Sequence, residues 1–261
     1  MIYLTGSRGM IGSRFLELCD QEITTISYRD EVPDVFDSHE NSCLVHLAWS
    51  STTRNTYDDF DQVIRNDVQN SKKLFDFYVN KNPNGKIIFV SSAGDLHLGL
   101  SRTCWEENEP SPHSLYGECK LHVENMLKEL SCKTVVLRTS NVWGAKVVAN
   151  RVNGLVDKLL NSLDTDQVVE IFADFKAKVD LVHIDDFVDL LKKVIEVDLK
   201  EQHELFLVGR QSISICDIID IVSKRGSLNL RINQKAEKTY LHIENSKVRK
   251  AFDWEPKHYL R

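Results

Sequence analysis

A doubly wound α/β fold, in which helices cover both faces of a parallel sheet, is what this sequence predicts. Three observations lead to it: apolar strand-like runs alternate with helical stretches, a glycine turn joins the first strand to the first helix, and a tyrosine and a lysine stand one turn apart on a later helix. Unbroken apolar runs mark strands buried on both faces, as a covered parallel sheet requires. They fall at residues 1–5, 23–28, 42–47, 86–91 and 134–139, with helices expected at 10–19, 59–80 and 116–130. Beyond residue 145 the character changes. A helix is expected at 151–163, short strands at 168–172 and 179–183, a helix at 185–197 capped by Asp185, and another at 215–225. No repeat, low-complexity tract or proline-rich linker separates the two parts, so the second is expected to pack against the sheet.

The first strand, Ile2-Tyr3-Leu4-Thr5, runs into Gly6-Ser7-Arg8-Gly9-Met10-Ile11-Gly12. Gly6 permits a tight turn, Gly9 lets backbone approach a pyrophosphate, and Gly12 lets the following helix sit close, with its free N–H groups facing the anion. The spacing of the first two glycines is wider than in the commonest fingerprint, and the placement between strand and helix carries the assignment. The expected ligand is a dinucleotide held by residues 6 to 12.

Tyr116 and Lys120 open a helix whose Leu121, Val123, Met126, Leu127 and Leu130 recur at helical spacing, so the two share a face. A phenol is a poor acid or base near neutrality, and an adjacent ammonium is expected to lower its pKa and make the pair usable. An amphipathic helix with a tyrosine and lysine one turn apart is the plain alternative for the pair taken alone.

Taken together, these segments resemble the extended short-chain dehydrogenase/reductase family of nucleotide-sugar epimerases, dehydratases and reductases, over nearly the whole chain. The glycine turn is followed by Cys43-Leu44-Val45-His46-Leu47-Ala48-Trp49, Asn66-Asp67-Val68 and Ile87-Ile88-Phe89-Val90-Ser91-Ser92-Ala93. Then come Tyr116 with Lys120, Leu137-Arg138-Thr139-Ser140-Asn141-Val142-Trp143-Gly144, Val182-His183-Ile184-Asp185-Asp186, Gln211-Ser212-Ile213-Ser214, and Ser246-Lys247-Val248-Arg249 with Trp254-Glu255-Pro256. The resemblance implies a doubly wound parallel Rossmann sheet over residues 1–145, with later segments returning to it, and a small C-terminal substrate-binding lobe formed mainly by 146–261.

It also implies roles. Ser92 stands where the family's substrate-binding Ser or Thr sits, and strand register favours it over Ser91, which is expected to satisfy backbone groups. Tyr116 is the implied acid/base, and Lys120 its partner and a ligand of the nicotinamide ribose. Leu47 and Ala48 line the cofactor. Ala93, Asn141 and Lys146 join Ser92 toward the substrate. Lys146, Arg151, Lys176, Lys178, Arg210 and Arg249 are cations open to a diphosphate. Val179 replaces an arginine common in relatives, which moves the expected anchor to Lys178 or Arg210 or implies weaker binding.

One departure narrows the chemistry. Family dehydratases carry an acid pair directly after the catalytic residue, and this chain has Ala93 and Gly94 there, with Asp95 one further on and expected to point elsewhere if the segment stays extended. Reductase and epimerase remain. The end of the second strand reads Thr25-Ile26-Ser27-Tyr28-Arg29-Asp30, where Arg29 would suit the 2′-phosphate of NADP and Asp30 the ribose hydroxyls of NAD, unless both are a solvated turn. Arg8 adds a second cation and favours NADP. The expected activity is therefore an NADP-dependent reductase of a nucleoside-diphosphate 4-keto-6-deoxy sugar, with surface-polysaccharide synthesis as the implied setting. An NAD-dependent nucleotide-sugar 4-epimerase is the alternative, and a dinucleotide-binding regulatory protein without chemistry a second.

Composition sets the bounds. With 261 residues and 42% hydrophobic content the chain can bury a full core, and its net charge of −6 without a basic stripe argues against a nucleic-acid partner. Six cysteines lack metal spacing and read as reduced, buried thiols. His46 and His183 read as structural and Asp185-Asp186 as a helix cap, so no metal is expected. The first strand begins at residue 2, leaving no leader, and no run is long enough to span a membrane, which points to a cytoplasmic enzyme. The two long helices make a homodimer the expected assembly.

Overall fold

A computed structural model describes residues 1–27, 35–39, 41–53, 55, 57–97, 103–145, 154–233 and 239–261. Six parallel strands form the central sheet in the order β2-β1-β3-β4-β5-β9: β1 (Ile2–Thr5), β2 (Ile23–Ile26), β3 (Cys43–His46), β4 (Lys86–Ser92), β5 (Lys133–Thr139) and β9 (His203–Val208). Side-chain alternation divides the strands between two cores. Leu4, Ile88, Val90, Val135 and Leu137 face α1 (Met10–Leu18) and α7 (Ile184–Glu196), packing with Phe15, Phe187 and Leu191. Tyr3, Leu44, Ile87 and Phe89 face α3 (Asn70–Lys81) and α5 (Leu115–Lys128), packing with Leu74, Phe75, Val123 and Leu127. The unbroken apolar runs are thus buried on both sides.

Ahead of α3 the chain runs through a 3-10 turn at Tyr57–Asp59, the short α2 (Phe60–Val63) and a π-helical turn at Ile64–Gln69. The π turn carries Asp67 inward, where it is 2% exposed.

The chain then builds two small sheets. β10 (Gln211–Ser214), β8 (Lys178–His183) and β6 (Asn141–Trp143) form one, and β7 (Val168–Ile171) pairs with β11 (Asn229–Ile232) in the other. With α6 (Leu155–Asn161) and α8 (Ile215–Ser223) they enclose a separate core around Leu159, Ile171, Leu181 and Ile218. Later segments also return to the main sheet, through β9 and α7.

Several expectations change. The segment after β4 is the short helix α4 (Ala93–Leu96), because the Ser92 hydroxyl caps it by accepting from the Asp95 N–H at 3.2 Å. Helix α7 starts at Ile184, and its cap is the His183 ring, which accepts from the Asp185 N–H. Four cysteines are buried, but Cys19 is half-buried and Cys216 exposed. Tyr28, Arg29, Asp30, Lys146 and Arg151 lie outside the described residues. Among the described residues no helix is long and apolar enough to cross a membrane.

Candidate active site

The glycine turn is tightly built. Gly6 has φ +72°, and a β-carbon there would lie 2.6 Å from the Ala48 nitrogen; one at Gly12 would lie 2.2 Å from the Gly6 carbonyl oxygen. Both positions therefore require glycine, and Gly12 does so by closing the turn on itself. The Gly9 N–H donates to Gly6 O at 2.9 Å, and Gly9 is exposed at the mouth. Met10 and Ile11 pack their side chains against the core, while the first-turn N–H groups of α1 are of the kind that lack intrahelical acceptors.

A hydrogen-bonded relay pins the neighbouring strand end. The Ser71 hydroxyl donates to the Asp67 carbonyl, so it accepts from His46 Nε2 at 2.9 Å; His46 Nδ1 then accepts from the Thr5 hydroxyl at 2.8 Å. Thr5 Oγ1 in turn accepts from Leu47 N–H and Ala48 N–H at 3.2 and 3.1 Å. Burial, then Lys120, pushes the His46 pKa down to about 3, which keeps the ring in the neutral form this relay needs. His46 is a brace.

Between these elements opens a cleft of about 770 Å3, lined by the glycine turn, Ile26 and Ser27, Leu47 to Ser50, and the helical residues Gln62, Asn66, Asp67 and Asn70. Arg8 reaches across to the end of β2, where its Nη2 donates to Ser27 Oγ at 3.2 Å. Open first-turn amides beside a turn that excludes β-carbons form the cradle a dinucleotide's pyrophosphate needs, so the residues present fit that cofactor.

At the end of β4 the two serines part. Ser91 points into a buried polar network, donating to Glu124 Oε1 at 2.5 Å, and Glu124 holds Arg138 at 2.7 Å. Ser92 instead caps α4 and hydrogen-bonds the Tyr116 phenol. Asp95, three residues on, is folded back: Oδ1 accepts from the His113 N–H at 2.9 Å and Oδ2 from the Ser114 hydroxyl at 2.5 Å. It anchors the start of α5, where Tyr116 stands.

Lys120 is 5% exposed, donates to the Val90 carbonyl at 2.8 Å, and lies 3.7 Å from the Trp49 ring centre and 5.7 Å from that of Tyr116. Burial pushes its pKa down to about 7, against Asp67 and Glu124, which raise it. The expected lowering of the tyrosine by the lysine is corrected: burial pushes Tyr116 up to about 12, the Ser92 hydrogen bond pulls against it, and Asp95 and Asp67 raise it further. At that value Tyr116 stays a protonated phenol near neutrality.

The remaining expected contacts divide. Ala93 has no exposed surface and packs with Cys104, Leu207, Leu241 and Ile243, so its side chain cannot meet a substrate. The exposed Asn141 spends its amide on Asp180 O at 3.1 Å, tying β6 to β8. The Arg210 guanidinium lies 4.1 Å from the Tyr259 ring centre. His183, Asp185 and His258 come together, a neighbourhood that sequence spacing did not reveal, and each has a protein partner: Asp185 pairs with Arg14 at 2.6 Å and His258 Nδ1 with Asp186 at 2.8 Å.

Three participants went unremarked as site residues. Trp49 and Asp67 sit inside quoted family-like segments without any spacing signal of their own, and Glu124 is one further turn along the helix from Lys120. That i, i+4 step was the one available hint.

The model of the NAD dependent epimerase/dehydratase family matches residues 2–209, and the chain belongs to that family. It is similar to a dTDP-4-dehydro-6-deoxyglucose reductase of Escherichia coli, 27% identical over 214 residues, covering 79% of this chain and 64% of that protein. It is also similar to a dTDP-L-rhamnose 4-epimerase of Burkholderia thailandensis, 30% identical over 124 residues, covering 45% of this chain and 34% of the other. The chain thus spans less than two thirds of either relative. Among solved structures, MoeE5 in complex with UDP-glucose and NAD shares the fold, with a TM-score of 0.84 at 18% identity over 99% of this chain and 94% of that one. These likenesses agree with the six-stranded parallel Rossmann sheet described above.

Proposed function

We propose that this protein is an NADP-dependent reductase of a nucleoside-diphosphate 4-keto-6-deoxy sugar. The observation that carries the reading is the Ser92–Tyr116 hydroxyl pair, with the phenol held protonated. When bound in the cleft, the cofactor supplies a hydride to the sugar C4 carbonyl. Charge then develops on the carbonyl oxygen, which the neighbouring hydroxyls of Ser92 and Tyr116 would meet. Ser92 Oγ orients it, and Tyr116 gives up its proton as the alkoxide forms. Lys120 supplies positive charge behind Tyr116 as the phenolate appears, and its ammonium would hold the nicotinamide ribose of a bound cofactor. Dehydration lacks its acid and base, because Ala93 is buried and Asp95 is engaged with α5.

Arg8, reaching Ser27 at the end of β2, supports the NADP preference as a cation beside the adenosine ribose. The small sheets and α6 and α8 form the substrate lobe in this reading, with Lys178 as the diphosphate anchor, since Arg210 is stacked on Tyr259. Exposed Tyr57, Phe60 and Phe77 on the long helical segment suit a homodimer.

Oxidation of NADPH against a panel of dTDP-, GDP-, UDP- and CDP-linked 4-keto-6-deoxy sugars tests this. One substrate consuming an equivalent of NADPH supports the reductase. The similarity to a rhamnose 4-epimerase supports a second reading, in which NAD stays bound and substrate turns over without added cofactor.

A further inference from the structure

Among the described residues no carboxylate pairs with Lys120 at contact distance. Its Nζ has one hydrogen-bond acceptor among the described residues, the Val90 carbonyl, and otherwise meets aromatic faces: Trp49 at 3.7 Å and Phe89 at 4.6 Å from ring centre. The charged and titratable groups around it are Asp67 from the π turn, Glu124 and Tyr116 from its own helix, and neutral His46 from β3. Asp67 has both oxygens occupied, accepting from the Ser50 N–H and hydroxyl at 2.7 Å each and from the Ser51 N–H at 2.9 Å. Glu124 is committed to Arg138.

Those same contacts aim the indole. Asp67 fixes the backbone of Ser50 and Ser51, and the Ser51 hydroxyl accepts from Trp49 Nε1 at 2.9 Å. The ring is thereby turned edge-on to Tyr116, centres 6.3 Å apart, with its face under the ammonium. A desolvated ammonium over an indole face is held by the ring quadrupole, more strongly than at any exposed site.

We propose that Trp49 is a positioning residue that keeps Lys120 protonated and in place behind Tyr116, with Asp67 and Ser51 holding the indole in its orientation. This rests on the reading of Tyr116 and Lys120 as the acid/base pair, and it adds a tuning element that the pair by itself does not contain. Burial alone drives the lysine toward its neutral form, and the ring opposes that drive. Without the ring the ammonium is lost at a lower pH, and the alkaline limb of the pH–rate profile moves down with it.

The test reads the lysine directly and needs no substrate. Protein labelled with 13C at lysine Cε is titrated by NMR, with the Lys120 resonance identified by its disappearance in Lys120→Met. Trp49→Leu is expected to lower the Lys120 midpoint by about one pH unit, the equivalent of a buried cation–π contact. Fluorinated tryptophans at position 49 keep the shape and weaken the quadrupole, so they are expected to lower the midpoint stepwise with fluorine number. They also serve where Trp49→Leu does not fold. An unchanged midpoint in the fluorinated series overturns the proposal, and Trp49 is then only a wall of the cleft. Failure of the reductase assay leaves this titration readable, and an unmoved titration leaves the reductase reading standing.

Discussion

The Asp95 carboxylate lies so close to the α-carbon of Gly117 that a β-carbon there would stand 2.2 Å from Oδ1. Asp95 follows Ser92 at the end of β4, Gly117 follows Tyr116 on α5, and the contact packs the turn after Ser92 against the turn that carries Tyr116. Gly117→Ala is expected to push Asp95 off Ser114 and shift Tyr116. Overpacking of this kind costs about 2 kcal/mol, and misplacement of an acid is worth about a hundredfold in kcat. Thermal unfolding together with kcat checks this. Tyr116→Phe is the contrast, expected to abolish turnover with little change in Tm.

Ser91 and Ser92 are expected to fail differently. Ser92→Ala removes the group proposed to hold the reacting oxygen, and kcat should fall by about two to three orders of magnitude, with a helix-cap loss of about 1 kcal/mol. Ser91→Ala removes a donor to buried Glu124 and should lower Tm while leaving kcat within a few-fold. The same loss of kcat from both substitutions would remove the distinction between them.

Arg8 should govern cofactor choice. If it meets the 2′-phosphate, Arg8→Ala weakens NADPH by about tenfold or more, as loss of a charge-assisted hydrogen bond does. NADH, without that phosphate, should be unaffected. Isothermal titration with both cofactors settles the point, and equal weakening would place Arg8 on the shared pyrophosphate instead.

Acid sensitivity should trace in part to His97, alongside the buried His46 of the relay. The His97 Nε2 stands 2.9 Å from Arg138 Nη1 and must accept from it, so protonation would set two cations face to face. Burial, then Arg138, pushes its pKa down to about 4. The unfolded chain takes up the proton near pH 6.5, before the folded one, so the stabilising contribution is complete above that pH and is lost as pH falls toward 4. The loss amounts to about 3 kcal/mol for this one ring. Tm measured from pH 7 to pH 4 should decline less steeply in His97→Gln, whose side-chain oxygen still accepts from Arg138.

Where signals are local, the sequence was readable. The runs of β1, β3, β4 and β5 are unbroken and apolar because both faces are buried, and the glycine turn and the Tyr116–Lys120 step are written within a dozen residues. β9 went unassigned because it opens on the polar pair His203-Glu204 and its first half is only partly buried. β10 and β11 are four-residue strands at the periphery. The roles of Trp49, Asp67 and Asp95 come from contacts between segments far apart in the chain, which no spacing rule encodes. The depressed tyrosine pKa failed for a related reason. Proximity on a helix face suggested a charge effect, but burial and two carboxylates brought in by other elements outweigh it.

The central claim is that hydride moves from added NADPH to C4 of a keto sugar with Tyr116 as proton donor. Incubation with NADPH deuterated at C4 of the nicotinamide, followed by mass spectrometry and NMR of the sugar, measures it most directly. The account predicts one deuterium at C4 of the product for each NADPH oxidised, and none formed by Tyr116→Phe. An epimerised sugar carrying no deuterium from the added cofactor would contradict it.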